Sequence, residues 1–267
     1  RLFNSLNLSM TLVSGGGFLP TENLNKIISS NFQKIIIIFS LLLSLLNFYL
    51  VFNLLNKNTL IKEHREDLYL IILSIIFCSF IYLNNYNGLD IIISVLSSLA
   101  NSGLTLMESQ NNLSLYFLLI TIIGGSIFSN TSGIKLTRFY ILLKITSLEI
   151  IKLISPNSII NKTILGSDKK ILDDHVKISF LIFISFFLSL FILSSLLVVD
   201  NIGFEKSFKL SILTLTNTVN SEMFNMQNLN FSNLLTSSKI SLILFMIIGK
   251  IELISIFLIF KKILFKD

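Results

Sequence analysis

Three short polar turns interrupt apolar surroundings, and each carries residue types suited to presenting backbone carbonyls. Val13-Ser14-Gly15-Gly16 follows an apolar stretch from Leu2 to Leu12, Ala100-Asn101-Ser102-Gly103 follows Leu89 to Leu99, and Asn217-Thr218-Val219 follows Phe204 to Leu215. Glycine permits positive φ and close backbone approach. Backbone that is not helical at membrane depth survives only when protein covers it or when it lines a water-filled cavity. A turn of this kind suggests a place where carbonyls face a path across the membrane. The third turn carries Val219 and no glycine, and positive φ at a β-branched residue would be a strained outlier.

Ionisable residues inside apolar runs form the second constellation. Gly124-Gly125 and Gly133 break the apolar run Leu113 to Leu143, and Lys135 and Arg138 follow the break. A charge at the bilayer centre costs about 2.5–3.5 kcal/mol on insertion scales, so both cations should face the interior or reach back to the cytoplasmic side. Lys250 and Glu252 lie in the last apolar run. Two apart on a helix, they point to different faces. Glu222, just past the third turn, either draws cations to an outer mouth or is simply solvated. His64 and His175 lie in polar connections without metal-ligand neighbours. No nucleophile–base pair or dinucleotide fingerprint occurs, and no lysine follows Ser14–Gly17 at P-loop spacing. The chain is expected to be no enzyme and to need no cofactor.

These residues need elements to hold them, and composition says which. The chain has 267 residues, 52% of them hydrophobic, with a mean hydropathy of +0.80. Spanning helices are predicted over 31–55, 68–83, 113–143, 178–199 and 233–260, each near the length that crosses about 30 Å of hydrocarbon. The stretches 2–12, 89–99 and 204–215 are too short to span. The unit spanning helix, half-helix, polar turn, spanning helix occurs whole over 67–144 and 176–267, and its second half over 1–57. Residues 58–66 and 145–175 connect the units. The fold class is all-α integral membrane, with repeated helix–pore loop–helix units around a central ion pore. Discontinuous helices at a repeat interface mark transport sites. Arg1 opens the chain inside an incomplete unit, so its front is expected to be missing.

The net charge of +6 has a membrane explanation. The connection 56–66, the linker 144–177 and the tail 261–267 hold 12 of the 21 Lys and Arg residues, and positive residues favour the cytoplasmic side. The turns then open outward. Lipid, not nucleic acid, is the expected surroundings, because basic patches with interleaved aromatics are absent. Cys78 is alone and forms no intrachain disulfide.

The motifs together resemble the Trk/Ktr/HKT family of potassium transporters, most closely its bacterial Trk-type membrane subunit. Val13-Ser14-Gly15-Gly16-Gly17-Phe18 is similar to the family's second filter, Ser-Thr-Gly-Gly-Phe. Ala100-Asn101-Ser102-Gly103-Leu104-Thr105 is similar to the third, Thr-Thr-Gly-Phe. Ser129-Asn130-Thr131-Ser132-Gly133-Ile134-Lys135 with Arg138 resembles the broken-helix motif Ser-Thr-Ala-Gly-Gly-Ile-Lys with Arg. Asn230-Phe231-Ser232 and Gly249-Lys250-Ile251-Glu252 resemble Asn-Phe-Ser and Gly-Arg-Leu-Glu of the last repeat. Where the family has Asn-Asn-Ile-Gly, this chain has Thr216-Asn217-Thr218-Val219.

The resemblance implies potassium uptake across the cell (inner) membrane, with potassium as substrate. It makes Gly16 and Gly103 the filter glycines. Val13, Ser14, Gly15, Ala100, Asn101 and Ser102 would supply carbonyls beside them, and Asn217, Thr218 and Val219 the last turn. Gly124, Gly125, Gly133, Lys135 and Arg138 become a gate loop beneath the filter, opposed by Lys250. It also implies a homodimer and a cytoplasmic nucleotide-binding regulatory subunit docked on the inner connections. A secondary carrier for another solute and a non-conducting degenerate relative are the alternative functions.

Overall fold

The computed structural model describes residues 2–18, 24–55, 65–83, 86–107, 111–155, 163, 170–218, 222–226 and 231–251. Ten α-helices occur among them: α1 Leu2–Ser14, α2 Asn31–Leu45, α3 Phe48–Leu55, α4 Arg65–Tyr82, α5 Gly88–Leu99, α6 Asn111–Ile123, α7 Leu136–Ile154, α8 Asp173–Val199, α9 Phe204–Leu215 and α10 Thr236–Ile251. The all-α expectation holds.

The order long helix, short helix, turn, long helix appears as α4-α5-turn-α6 and again as α8-α9-turn-α10. The shorter form α1-turn-α2 precedes both. Packing follows the same rule between units. The helix after one turn lies against the short helix of the next unit: α2 packs on α5, and α6 packs on α9. At the open end of this series, between the first unit's turn and α9–α10, lies an apolar cleft of about 410 Å³ bordered by Phe18, Leu213 and Met246.

α8 explains why these helices assemble as they do. Ser179, Ile182, Phe186, Ser189, Leu193 and Leu197 repeat at helical spacing and are buried. The opposite face is as apolar, with Phe180, Leu181, Ile184, Leu188 and Phe191 exposed. A helix that is hydrophobic all round belongs in a large core or a membrane, and α8 is long and apolar enough to cross one. Its serines satisfy themselves: the Ser185, Ser189 and Ser194 hydroxyls donate to carbonyls three residues back, at 2.8–3.0 Å. That removes the cost of burying an unpaired hydroxyl and lets small residues sit where helices approach closely.

Two expected spans are divided. The predicted helix 31–55 ends at Leu45, where Leu46 turns extended (ψ 161°), and α3 starts afresh at Phe48. Asn47 causes the restart: its Oδ1 accepts the Tyr49 amide at 2.9 Å, as an N-cap does. The predicted helix 113–143 breaks as expected, but α7 runs on to Ile154, so the linker read from residue 145 begins as helix. Glu149 and Lys152 pair at 2.9 Å along that extension. The last span, read over 233–260, is helical from Thr236 to Ile251, after a separate 3-10 turn Phe231–Asn233; residues from Glu252 on lie outside the described residues, as do His64 and Val219.

Candidate functional site

The three short helices end in one and the same cap. The amide two residues past the cap reaches back to the carbonyl five residues earlier: Gly16 to Thr11 at 3.1 Å, Ser102 to Ser97 at 2.9 Å, Thr218 to Leu213 at 2.8 Å. The residue between takes positive φ each time, +65° at Gly15, +59° at Asn101 and +52° at Asn217. This is the Schellman arrangement, and its left-handed residue is usually glycine and otherwise asparagine. The two asparagines gain a further tie. The Asn101 side-chain amide donates to the Thr121 carbonyl of α6 at 2.9 Å, and that of Asn217 to the Met246 carbonyl of α10 at 2.9 Å. Each turn is thereby held by the long helix that follows it.

The shared caps set a register between the turns. One residue beyond the cap pattern stand Gly17 and Gly103, with φ of +64° and +68°. Gly17, and not Gly16, is therefore the geometric equivalent of Gly103; the run of three glycines hid this in the sequence. Thr218 is the last described residue of the third turn, and the position that follows it in sequence is Val219. Behind the second turn, Ser94 shares a hydrogen bond with Thr105 at 2.9 Å and the Ser97 hydroxyl donates to the Leu104 carbonyl. The chain rising from Gly103 is stapled to α5, and Ala100, Asn101 and Ser102 are buried. Each short helix also brings the negative end of its dipole to its turn, worth about half an elementary charge.

The turns meet. A Cβ added at Gly15 would stand 3.3 Å from the Ala100 carbonyl oxygen and 3.8 Å from that of Asn130. The Lys250 ammonium donates to the carbonyls of Ser14 at 3.2 Å and Asn130 at 2.9 Å, and the Asn130 side-chain amide donates to the Val13 carbonyl. Gly249 lets α10 lie directly on the Leu215 carbonyl at the end of α9, where any Cβ would overlap it. Val13, Ser14, Gly15, Ala100, Asn130 and Lys250, from three units, thus share one locality. Asn130 was legible only as part of a motif, and its bridging role was not.

The loop 124–135 between α6 and α7 is closed on itself. The amides of Ile134 and Lys135 return to the carbonyls of Ile122 and Ile123 at 3.0 Å, and the Leu136 amide to Gly125 at 3.2 Å. Gly124 (φ +68°) lies against the Ser132 carbonyl and Gly133 (φ +86°) against that of Ile122, leaving no room for a side chain at either. Gly125 is equally tight, since its Cβ would stand 2.8 Å from the Leu45 carbonyl.

Lys135 faces the interior, the first of the two placements expected for it. It is 3% exposed, and its ammonium donates to the Thr131 carbonyl, to Thr131 Oγ1 at 3.0 Å and to Ser129 at 3.4 Å. It therefore braces the loop from within, which compensates the cost of burying its charge. Lys250 is the exposed one. Arg138 and Lys250 border a cavity of about 30 Å³ together with Ser132, Ile182 and Phe186, room for about one water.

No family model matches the chain, and no curated protein sequence matches it. Among solved structures, the crystal structure of the potassium transporter TrkH from Vibrio parahaemolyticus superposes with a TM-score of 0.85 at 18% identity, over 97% of this chain and 58% of that one. At that identity the likeness is one of fold, and the chain spans little more than half the length of TrkH.

Proposed function

We propose that this chain is part of the ion-conducting subunit of a potassium uptake system in the cell (inner) membrane. Its fold is that of TrkH, a potassium transporter. The observation that carries the reading is the meeting of two equivalently capped turns, beside which a lysine ammonium is held by the Ser14 carbonyl and by the Asn130 carbonyl of the loop 124–135. A locality that binds one monovalent cation through carbonyl oxygens suits another. Val13, Ser14, Gly15, Gly17, Ala100, Asn101, Ser102 and Gly103 line the path beside the Asn130 carbonyl, with Asn217, Thr218 and Val219 as the last turn. The loop 124–135 is the gate, and Lys250 opposes it. Transport of this kind calls for no catalytic group and no cofactor. The charged connections face the cytoplasm, where a homodimer would present them to a nucleotide-binding regulator; these partners rest on the family resemblance alone.

Rubidium uptake by a strain lacking its own potassium systems tests the proposal. The complete reading frame is expressed with Val219 native and as Val219→Gly. Uptake by both supports potassium transport with a tolerant third turn. Uptake only by Val219→Gly supports the pore and identifies the natural protein as tuned down at that turn. If neither transports rubidium while both reach the membrane, and another solute is taken up independently of potassium, the carrier reading replaces this one.

A further inference from the structure

The gate loop is not held by its own helices alone. The loop's three consecutive residues Ser126, Ile127 and Phe128 are fastened to the two neighbouring elements. The Ser126 amide donates to the Leu45 carbonyl at 3.3 Å, and the Phe128 carbonyl accepts the Phe48 amide at 3.1 Å. Between them, the Ile127 amide donates to Glu66 Oε1 at 3.3 Å. The next residue, Asp67, accepts the Asn47 amide on Oδ1 at 2.8 Å. The ring of Tyr49 meets that of Phe128 edge-on at 5.3 Å.

This arrangement solves an accounting problem. The break between α2 and α3 frees the Leu45 carbonyl and the Asn47 and Phe48 amides, and buried backbone groups must find partners. The break between α6 and α7 frees groups of its own. Two breaks placed face to face satisfy one another, and the carboxylates of α4 take the amides that remain. Acidic residues in a first turn ordinarily serve their own helix's dipole. Here Asp67 is 2% exposed and Glu66 lies beside Thr137 in the first turn of α7, so both are turned onto neighbouring elements.

We infer that Glu66 and Asp67 are positioning residues: they hold the loop 124–135 and the α2–α3 joint together at the cytoplasmic end of α4. The connection 56–64 leads directly into Arg65 and these two carboxylates. A shift of α4's end is then passed to the Ile127 amide and the Asn47 amide at once. Movement of this end of α4 thus acts on the gate through this pair. The inference rests on the reading of 124–135 as a gate, but its geometry does not.

Hydrogen exchange on the full chain in detergent micelles tests the geometry without transport. Hydrogen bonds to charged acceptors are worth enough that losing one speeds local opening by about tenfold or more. Glu66→Ala should accelerate exchange over 126–128 by at least that factor, while 88–99 in α5 stays protected and reports an intact fold. Glu66→Gln retains an acceptor oxygen and should exchange close to the native rate. Asp67→Ala should loosen 46–48 and, through the shared hydrogen bonds, 126–128; Asp67→Asn should largely restore both. Unchanged exchange over 126–128 in Glu66→Ala overturns the inference, and so does Glu66→Gln behaving as alanine does. Rubidium uptake by Glu66→Ala is the separate readout for the gate. Faster exchange with a changed uptake rate supports both readings; faster exchange with native uptake keeps the positioning role and refutes coupling to the gate.

Discussion

Under the proposed function, replacing Lys250 with alanine removes a positive charge from carbonyls on which a permeating cation would sit. The ammonium lies 3.2 Å from the Ser14 carbonyl oxygen and 2.9 Å from that of Asn130. A second monovalent cation on either carbonyl would stand roughly 4 Å from it, where like charges repel by about 1 kcal/mol in water and about 4 kcal/mol at an effective dielectric of 20. Lys250 is solvent-exposed, so the lower part of that range applies. One to two kcal/mol is a factor of about 5 to 30. Lys250→Ala should therefore raise the rate of rubidium uptake at fixed external concentration by about fivefold or more. Lys250→Arg, which keeps the charge, should stay near the native rate. The assay is initial-rate uptake normalised to protein in the membrane. Native or slower uptake by a well-expressed Lys250→Ala would refute the idea that this ammonium competes with the permeant ion.

Further expectations come from the turns and their supports. Gly103→Val places a β-branched residue at φ +68°, where non-glycine residues cost about 1–2 kcal/mol and branched ones more; uptake should fall to background while the protein remains in the membrane, as measured by uptake beside immunoblotting of membrane fractions. Gly249→Ala drives a methyl group into the Leu215 carbonyl, and overpacking of this kind costs about 1–3 kcal/mol; a lower melting temperature in detergent and weakened uptake are expected together. Asp200, capping the far end of α8, accepts from the Ser238 and Ser237 hydroxyls, which hold its carboxyl below the usual range. A depressed pKa contributes stability that is present above the unfolded value of about 3.9 and is lost as pH falls through the folded value. The melting-temperature gap between native protein and Asp200→Asn should accordingly shrink as pH drops below about 4.

The opposed breaks at Leu46–Asn47 and Gly124–Gly133 have a structural logic that does not depend on the proposed gate. A single interrupted helix in hydrocarbon leaves amides and carbonyls without water to bind. Two interrupted helices side by side exchange them, as Ser126 with Leu45 and Phe48 with Phe128 do. Serine, threonine and asparagine cluster at the joints because their side chains complete the pairing, as when Thr131 Oγ1 accepts the Gly125 amide at 3.0 Å.

Much of this was legible from residue types. Alternating long and short apolar blocks predict the helix order, because a stretch such as Leu89 to Leu99 is too short to cross hydrocarbon and must turn back. Gly103, Gly124 and Gly133 mark turns because positive φ is open to glycine at no cost of a Cβ. Lys250 stands out because a charge in an apolar helix needs a reason. What the sequence could not decide was partnership. Asn47 reads as one more asparagine in an asparagine-rich chain until its amide is seen on Asp67. Three successive glycines give no register, and the amide of Gly16 returning to Thr11 supplies it. Lys135 and Lys250 look alike in sequence. Only the packed chain buries one among Ser129 and Thr131 and brings the other to Ser14 and Asn130. Local preference sets where the backbone bends. Which freed amide meets which carbonyl, across separations as long as Ser14 to Lys250, depends on how the units pack.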